Sequence, residues 1–159
     1  MFDGSGIAES STQVAARAIA DTARHHWVTV LWFGHNNITD PARIKADIAS
    51  AIAALTPGNT HFVVVSLDNE ATPRGIKGGA DYPVVMQLNA DLAAQYPGNF
   101  LDVRSALIRH YDPRNAQDVQ DVANDVVPSS LRYDEIHFRQ EGSSLAASLI
   151  RDFILAHGW

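Results

Sequence analysis

Two uninterrupted apolar runs constrain the fold of this chain more than anything else in it. Residues 27–33 and 61–67 are continuous and rich in β-branched and aromatic side chains. A strand with one face in water alternates apolar with polar, so runs of this kind belong to strands covered on both faces. Between them, Asp40-Pro41 supplies an N-cap and a proline for the first helical turn. Ile44, Ile48, Ile52 and Leu55 then recur on one helical face until Pro57-Gly58 stops the helix. Strands joined through a helix pair in parallel, because a short hairpin cannot connect them.

The alternation continues on both sides. Ser10 or Ser11 can cap a helix running to about His25. A loop with Pro73, Gly75, Gly78 and Gly79 leads to a helix over residues 82–96, closed by Pro97-Gly98. Residues 99–103 read as a short strand, 104–110 as a short helix and 142–157 as a terminal helix. Helices that separate every pair of strands predict an α/β protein, a three-layer α/β/α sandwich on a mostly parallel sheet. With no repeat, linker or shift in composition, residues 1–159 read as a single domain.

Composition removes some function classes. A net charge of −6 and a pI near 5.5, with no basic run, argue against nucleic acid as a partner. No apolar stretch approaches the length of a membrane span, and Met1-Phe2-Asp3-Gly4 is no signal peptide. The absence of cysteine excludes disulfides and thiolate metal sites but fits a reducing or an oxidising compartment equally.

Two short segments carry candidate chemistry. In Tyr133-Asp134-Glu135-Ile136-His137-Phe138, a carboxylate stands three residues before a histidine. An Asp that holds Nδ1–H of His137 leaves Nε2 free to take a proton from a hydroxyl, the base half of a serine-hydrolase site. The plain alternative is a loop Asp that caps the following backbone. The first apolar run ends in Gly34-His35-Asn36-Asn37, at the edge where parallel sheets keep their chemistry. Asn36 there can aim a side-chain N–H at a developing oxyanion, or simply tolerate the backbone angles of a turn.

The order of the two segments, Gly-x-Asn-Asn after a central strand and Asp-x-x-His before the last helix, resembles the SGNH hydrolases, the GDSL-like lipases and esterases. Gly6 to Arg17 looks like that family's second block, a glycine-containing loop entering a helix through Ser10-Ser11-Thr12. The resemblance covers nearly the whole chain from Gly4 onward. It implies a flavodoxin-like fold, with His137 as general base and then acid, Asp134 as its orienting partner, and an oxyanion hole from Asn36 and the backbone N–H of Ala8. It implies a small-molecule ester as substrate, attacked through an acyl-enzyme without metal or organic cofactor.

The departures are as specific. No Gly-Asp-Ser exists in the sequence, and Asp3-Gly4-Ser5 has those letters in another order, leaving Ser5 no room as the nucleophile before the second block. Ala8 stands where the family has glycine, which puts the placement of its N–H in question. Asn37 stands where the family usually has Asp. The esterase is therefore expected to be incomplete as given, missing its first strand and nucleophile block. The gap is expected to be filled by a second copy, by an N-terminal segment that carries the serine, or by residues 1–8. A non-catalytic binder of an ester or acetylated glycan is the alternative.

The segment 111–133 carries Asp112, Asp118, Asp121, Asn124 and Asp125. Calcium could use such oxygens, but the EF-hand spacing is missing, so these read as solvated acids on a long flap beside the site. His25 and His26 suit a helix end, His35 could line the pocket or face water, and His61, His110 and His157 read as structural.

Overall fold

The computed structural model describes residue 6 and residues 8–159. Its order is α1 (Ser11–Ala20), β1 (Thr29–Leu31), α2 (Pro41–Ala53), β2 (Phe62–Val65), α3 (Tyr82–Gln95), β3 (Phe100–Leu101), α4 (Val103–Arg109), α5 (Ala116–Ala123) and α6 (Gln140–Ala156). Short 3-10 turns lie at Thr22–Arg24 and His35–Asn37. The three strands pair in parallel in the order β1-β2-β3, with Val30 opposite Val63 and Val64 opposite Phe100. The α/β class and the parallel sheet expected from the apolar runs are present.

Each face of the sheet has its own core. Val64 and Leu31 join Ala15, Ile44, Ile48, Val85, Leu88 and Leu92, so α1, α2 and α3 share one cluster. Val63 and Val65, which point the other way along β2, join Val103, Leu107, Val127 and Ala146 in a second. Every one of Val63, Val64 and Val65 is fully buried. That is why residues 61–67 carry no polar alternation.

The run at 27–33 behaves differently from the fully covered strand expected of it. Only Thr29–Leu31 form a strand, and β1 pairs with β2 alone among the described residues. Trp27 and Val30 are exposed. A strand with one neighbour leaves its outer backbone groups and alternate side chains to water.

Capping sets the helix bounds. The carboxylates of Asp40, Asp102 and Asn115's side-chain oxygen accept from the backbone N–H of Arg43, Ser105 and Gln117. The first helix stops at Ala20, short of His25, because Asp21 leaves helical geometry (ψ 61°) and its carboxylate and carbonyl take Arg24 as partner. His25 still meets the helix end, with Nε2 3.0 Å from the Ala18 carbonyl oxygen.

The segment expected as a flap of solvated acids contains α5, and two of its acids are buried. Asp118 accepts from Ser129 Oγ, from Ser130 N and Oγ, from Asp112 N and from Asn115 Nδ2 at 2.6–3.2 Å. Asp121 accepts from Ser129 N, Gln117 Nε2 and Arg132 Nη2. Enclosed carboxylates are tolerable only when their lone pairs are satisfied in this way. Asp112 does remain on the surface, paired with Arg114.

Candidate functional site

The dyad is formed within one small loop. Arg132 and Phe138 make an antiparallel bridge, Tyr133 N donates to the His137 carbonyl, and Arg139 N donates to that of Leu131. Inside the turn so closed, Asp134 Oδ1 accepts from the backbone N–H of Ile136 (2.9 Å) and His137 (2.7 Å). Its other oxygen, Oδ2, lies 2.8 Å from His137 Nδ1. Both sequence readings of Asp134 are thus realised at once: it caps the backbone and it holds the ring.

These contacts act on the charge of Asp134. The backbone N–H of His137, then that of Ile136, then the imidazole, lower its carboxyl pKa to about 2. A carboxylate ionised throughout the ordinary pH range is an acceptor only, so it fixes the proton of a neutral His137 on Nδ1. Nε2 then carries the free lone pair. The imidazole is 65% exposed and stacks on Tyr133 with ring centres 5.5 Å apart. The ring is a surface feature.

Two contacts draw this loop over the carboxyl ends of β1 and β2, and a third joins the loops that follow those strands. Trp32, one residue past β1, packs its ring 5.8 Å from that of Phe138. Ala71 N, in the loop after β2, donates to the Glu135 carbonyl at 2.9 Å. His35 Nε2 lies 3.3 Å from Glu70 Oε1, which ties the two strand-end loops together.

Asn36 and Ala8 also meet, through Glu9. Asn36 Nδ2 donates to the Glu9 carbonyl at 2.9 Å, so one of its two amide protons holds the loop that contains Ala8 and the second remains for another acceptor. Ala8 adopts the left-handed backbone normally left to glycine (φ 56°). Gly34 opens the other loop at φ 118°, with the side chain of Ile44 against the place a Cβ would occupy. Ser5 lies outside the described residues. Among the described residues, no serine hydroxyl is hydrogen-bonded to His137.

Asn37 is a tether. Its side chain accepts from Ser11 N (2.8 Å) and donates to Ser11 Oγ (3.0 Å), and Ser11 Oγ donates to buried Asp47 Oδ2 at 2.7 Å. Thr12 and Arg43 complete the shell of Asp47. This network locks α1 to α2 and to the turn that carries Asn36.

Reading the sequence missed Asp68. It stands a few residues past the end of β2, at the edge where α/β sheets place reactive groups, and that position was the available signal. Burial is the strongest influence on its carboxyl and pushes its pKa up, opposed by His35 and, more weakly, Arg104 and His137. The residue itself is half-buried. Also unforeseen is the support behind that loop: Arg104 donates to Asn69 Oδ1 (2.7 Å) and to the carboxylate and carbonyl of Asp125, and Tyr82 OH donates to the same carboxylate. An open groove of about 520 Å³ is lined by Asn115, Ser129, Ser130, Arg139 and Glu141, none of which is a candidate catalytic residue. Among the described residues, no cluster of three His, Cys, Asp or Glu is arranged to hold a metal ion, and no helix is long and apolar enough to cross a membrane.

No protein-family model matches the chain. It is similar to the tail spike protein of Salmonella phage epsilon15, 28% identical over 148 residues. The match takes in 83% of this chain and 13% of that protein, so the chain corresponds to a small part of the relative's length.

Proposed function

We propose that this chain is the greater part of an SGNH-type serine esterase, a three-layer α/β/α domain that hydrolyses carboxylic esters through an acyl-enzyme. The observation that carries the reading is the Asp134–His137 pair: a fixed carboxylate on Nδ1, and Nε2 open to a substrate-side hydroxyl. Its position over the ends of β1 and β2, near the strand-end loop of Asn36, supports the assignment.

In the proposed reaction His137 takes the proton of a serine hydroxyl as that oxygen attacks the ester carbonyl, then returns it to the departing alcohol. Water repeats the sequence on the acyl-enzyme. The free N–H of Asn36 and the backbone N–H of Ala8 take the charge of the tetrahedral oxygen, a contribution of roughly 3–4 kcal/mol for one such donor. The serine comes from a separate segment that carries Gly-Asp-Ser and pairs with the outer edge of β1, since this sequence holds no such block. The exposure of His137 favours an ester displayed on a bulky molecule over one swallowed by a deep pocket. Acetylated glycans are esters of this displayed kind.

The test is to place a strand ending in Gly-Asp-Ser ahead of residue 1 and assay release of acetate from an acetylated glycan. Turnover that vanishes in His137→Ala is expected. Turnover indifferent to His137→Ala sinks the reading. One observation favours a second reading, a binder that does not cleave: no described serine hydroxyl reaches His137. Acetylated-glycan affinity without labelling by a fluorophosphonate, in the extended chain, would select it.

A further inference from the structure

The dyad's loop is held from behind by a single side chain whose partners come from three places. Arg132 Nη1 donates to the Asp134 carbonyl (2.7 Å), Nε to the Val127 carbonyl (2.8 Å) and Nη2 to Asp121 Oδ2 (3.0 Å). Arg132 is 13% exposed and Asp121 3%, in contrast to the 65% of His137. Asp121 belongs to α5, and its Oδ2 also takes the N–H of Ser129. A planar guanidinium with several donors in fixed directions can satisfy such acceptors together, which a lysine ammonium on a flexible stem cannot.

We infer that Arg132 is a positioning residue for the Asp134–His137 pair: it braces the Asp134 carbonyl against the buried carboxylate of Asp121 and so fixes which nitrogen of His137 carries the proton. The chain of causes is short. Asp134 reaches His137 with its other oxygen held by the N–H groups of Ile136 and His137, in a turn that begins at the peptide between residues 134 and 135. The Arg132 contact is made to the carbonyl of that peptide. Ala71 N holds the next carbonyl, that of Glu135, so two consecutive peptides are tied from opposite directions. Without the arginine the first of these is free to rotate, and Asp134 loses its set direction toward Nδ1. The inference rests on this geometry and not on the hydrolase reading.

The proton position is measurable without substrate, from ring ¹⁵N shifts above the histidine titration range. The parent chain is expected to hold His137 mainly with the proton on Nδ1. Arg132→Lys keeps the charge beside Asp121 but loses the fork. The double variant Asp121→Asn, Arg132→Gln removes both charges, so no buried carboxylate is left alone. In both, the tautomer ratio is expected to move about tenfold or more toward the Nε2–H form, the size of one lost net hydrogen bond. A general loss of stability does not move that ratio in the folded fraction. A folded variant of either kind with the parent's ratio overturns the inference. So does failure of both to fold, which would make Arg132 a requirement of the fold and not of the pair.

Discussion

Asp118 and Asp134 lie in neighbouring segments and solve the same problem with opposite results. Each carboxylate gathers backbone N–H donors from a tight turn. Asp118 takes five donors and is fully buried, so all of its hydrogen-bonding capacity goes into joining the start of α5 to the Ser129-Ser130 turn. Asp134 takes two backbone donors and gives its second oxygen to a ring that stands in water. The first arrangement is an anchor and the second aims a ring. What separates them is the last partner: a hydroxyl with no further task, or an imidazole with a second nitrogen.

The largest effect expected from this contrast is on Asp118. Asp118→Ala strands several enclosed donors, each costing about 1–3 kcal/mol, and is expected to destabilise the chain by about 3 kcal/mol or more in urea unfolding. A loss under 1 kcal/mol would show that the Ser129-Ser130 turn does not depend on its anchor. Gly142→Ala comes next. A Cβ there would stand 2.3 Å from the Leu131 carbonyl oxygen, a backbone atom at the base of the dyad's loop. We expect a cost of about 1–3 kcal/mol, after the small gain in helix propensity, together with shifted His137 resonances. Unchanged resonances would mean that α6 does not set the height of that loop.

The third effect is on pH dependence. Asp134 has a folded pKa of about 2 against an ordinary 3.8, and Asp118 is lowered as well, by its hydroxyl and backbone donors acting against burial. A depressed carboxyl pKa contributes stability above the unfolded value and loses it as pH falls through the folded one. The Asp134–His137 pair is therefore expected to persist at pH 4 and to fail as pH approaches 2, as followed by carboxyl ¹³C shifts. Separation of the pair near pH 4 would remove the claim that the backbone donors hold it. The smallest effect on stability belongs to Asp134→Asn, where the urea midpoint is expected to move little because the loop is exposed. The same change is expected to move the His137 proton to Nε2 and remove esterase activity in the serine-bearing chain. A large stability loss would make Asp134 a second anchor and erase the contrast.

How much of this was legible beforehand follows from distance along the chain and from the sign of burial. Asp134 and His137 are three residues apart, and local spacing is enough to suggest their contact. Val63 to Val65 and the Ile44–Ile48 face were readable because burial there follows apolarity. In α5 that relation is inverted: Asp118 and Asp121 are inside while Val119 is exposed. A reading that sends acids to water could not find that helix. Arg132 to Asp121, Ser11 to Asp47 and Arg104 to Asp125 join residues from separate elements, and nothing in the local pattern reports such pairings. Asn36 stood in between: its strand-end position was legible, but not that one of its protons serves Glu9. An apolar run carries no mark of how many neighbours its strand has, so an open edge beside residues 27–33 was suggested only by the missing first block of the resemblance and not by the run itself.

The closed turn between Leu131 and Arg139 bears on portability. An Asp-x-x-His quartet moved to another scaffold would bring its ring and carboxylate but none of what aims them. The portable unit is longer. It must include Asp121 on α5 with Ser129 and Val127, to receive Arg132, and the glycine at 142 that lets α6 approach. It must also find in the host a backbone donor in the place of Ala71 N. A transplant of residues 112–142 opposite such a donor carries the geometry; the quartet alone carries only the letters.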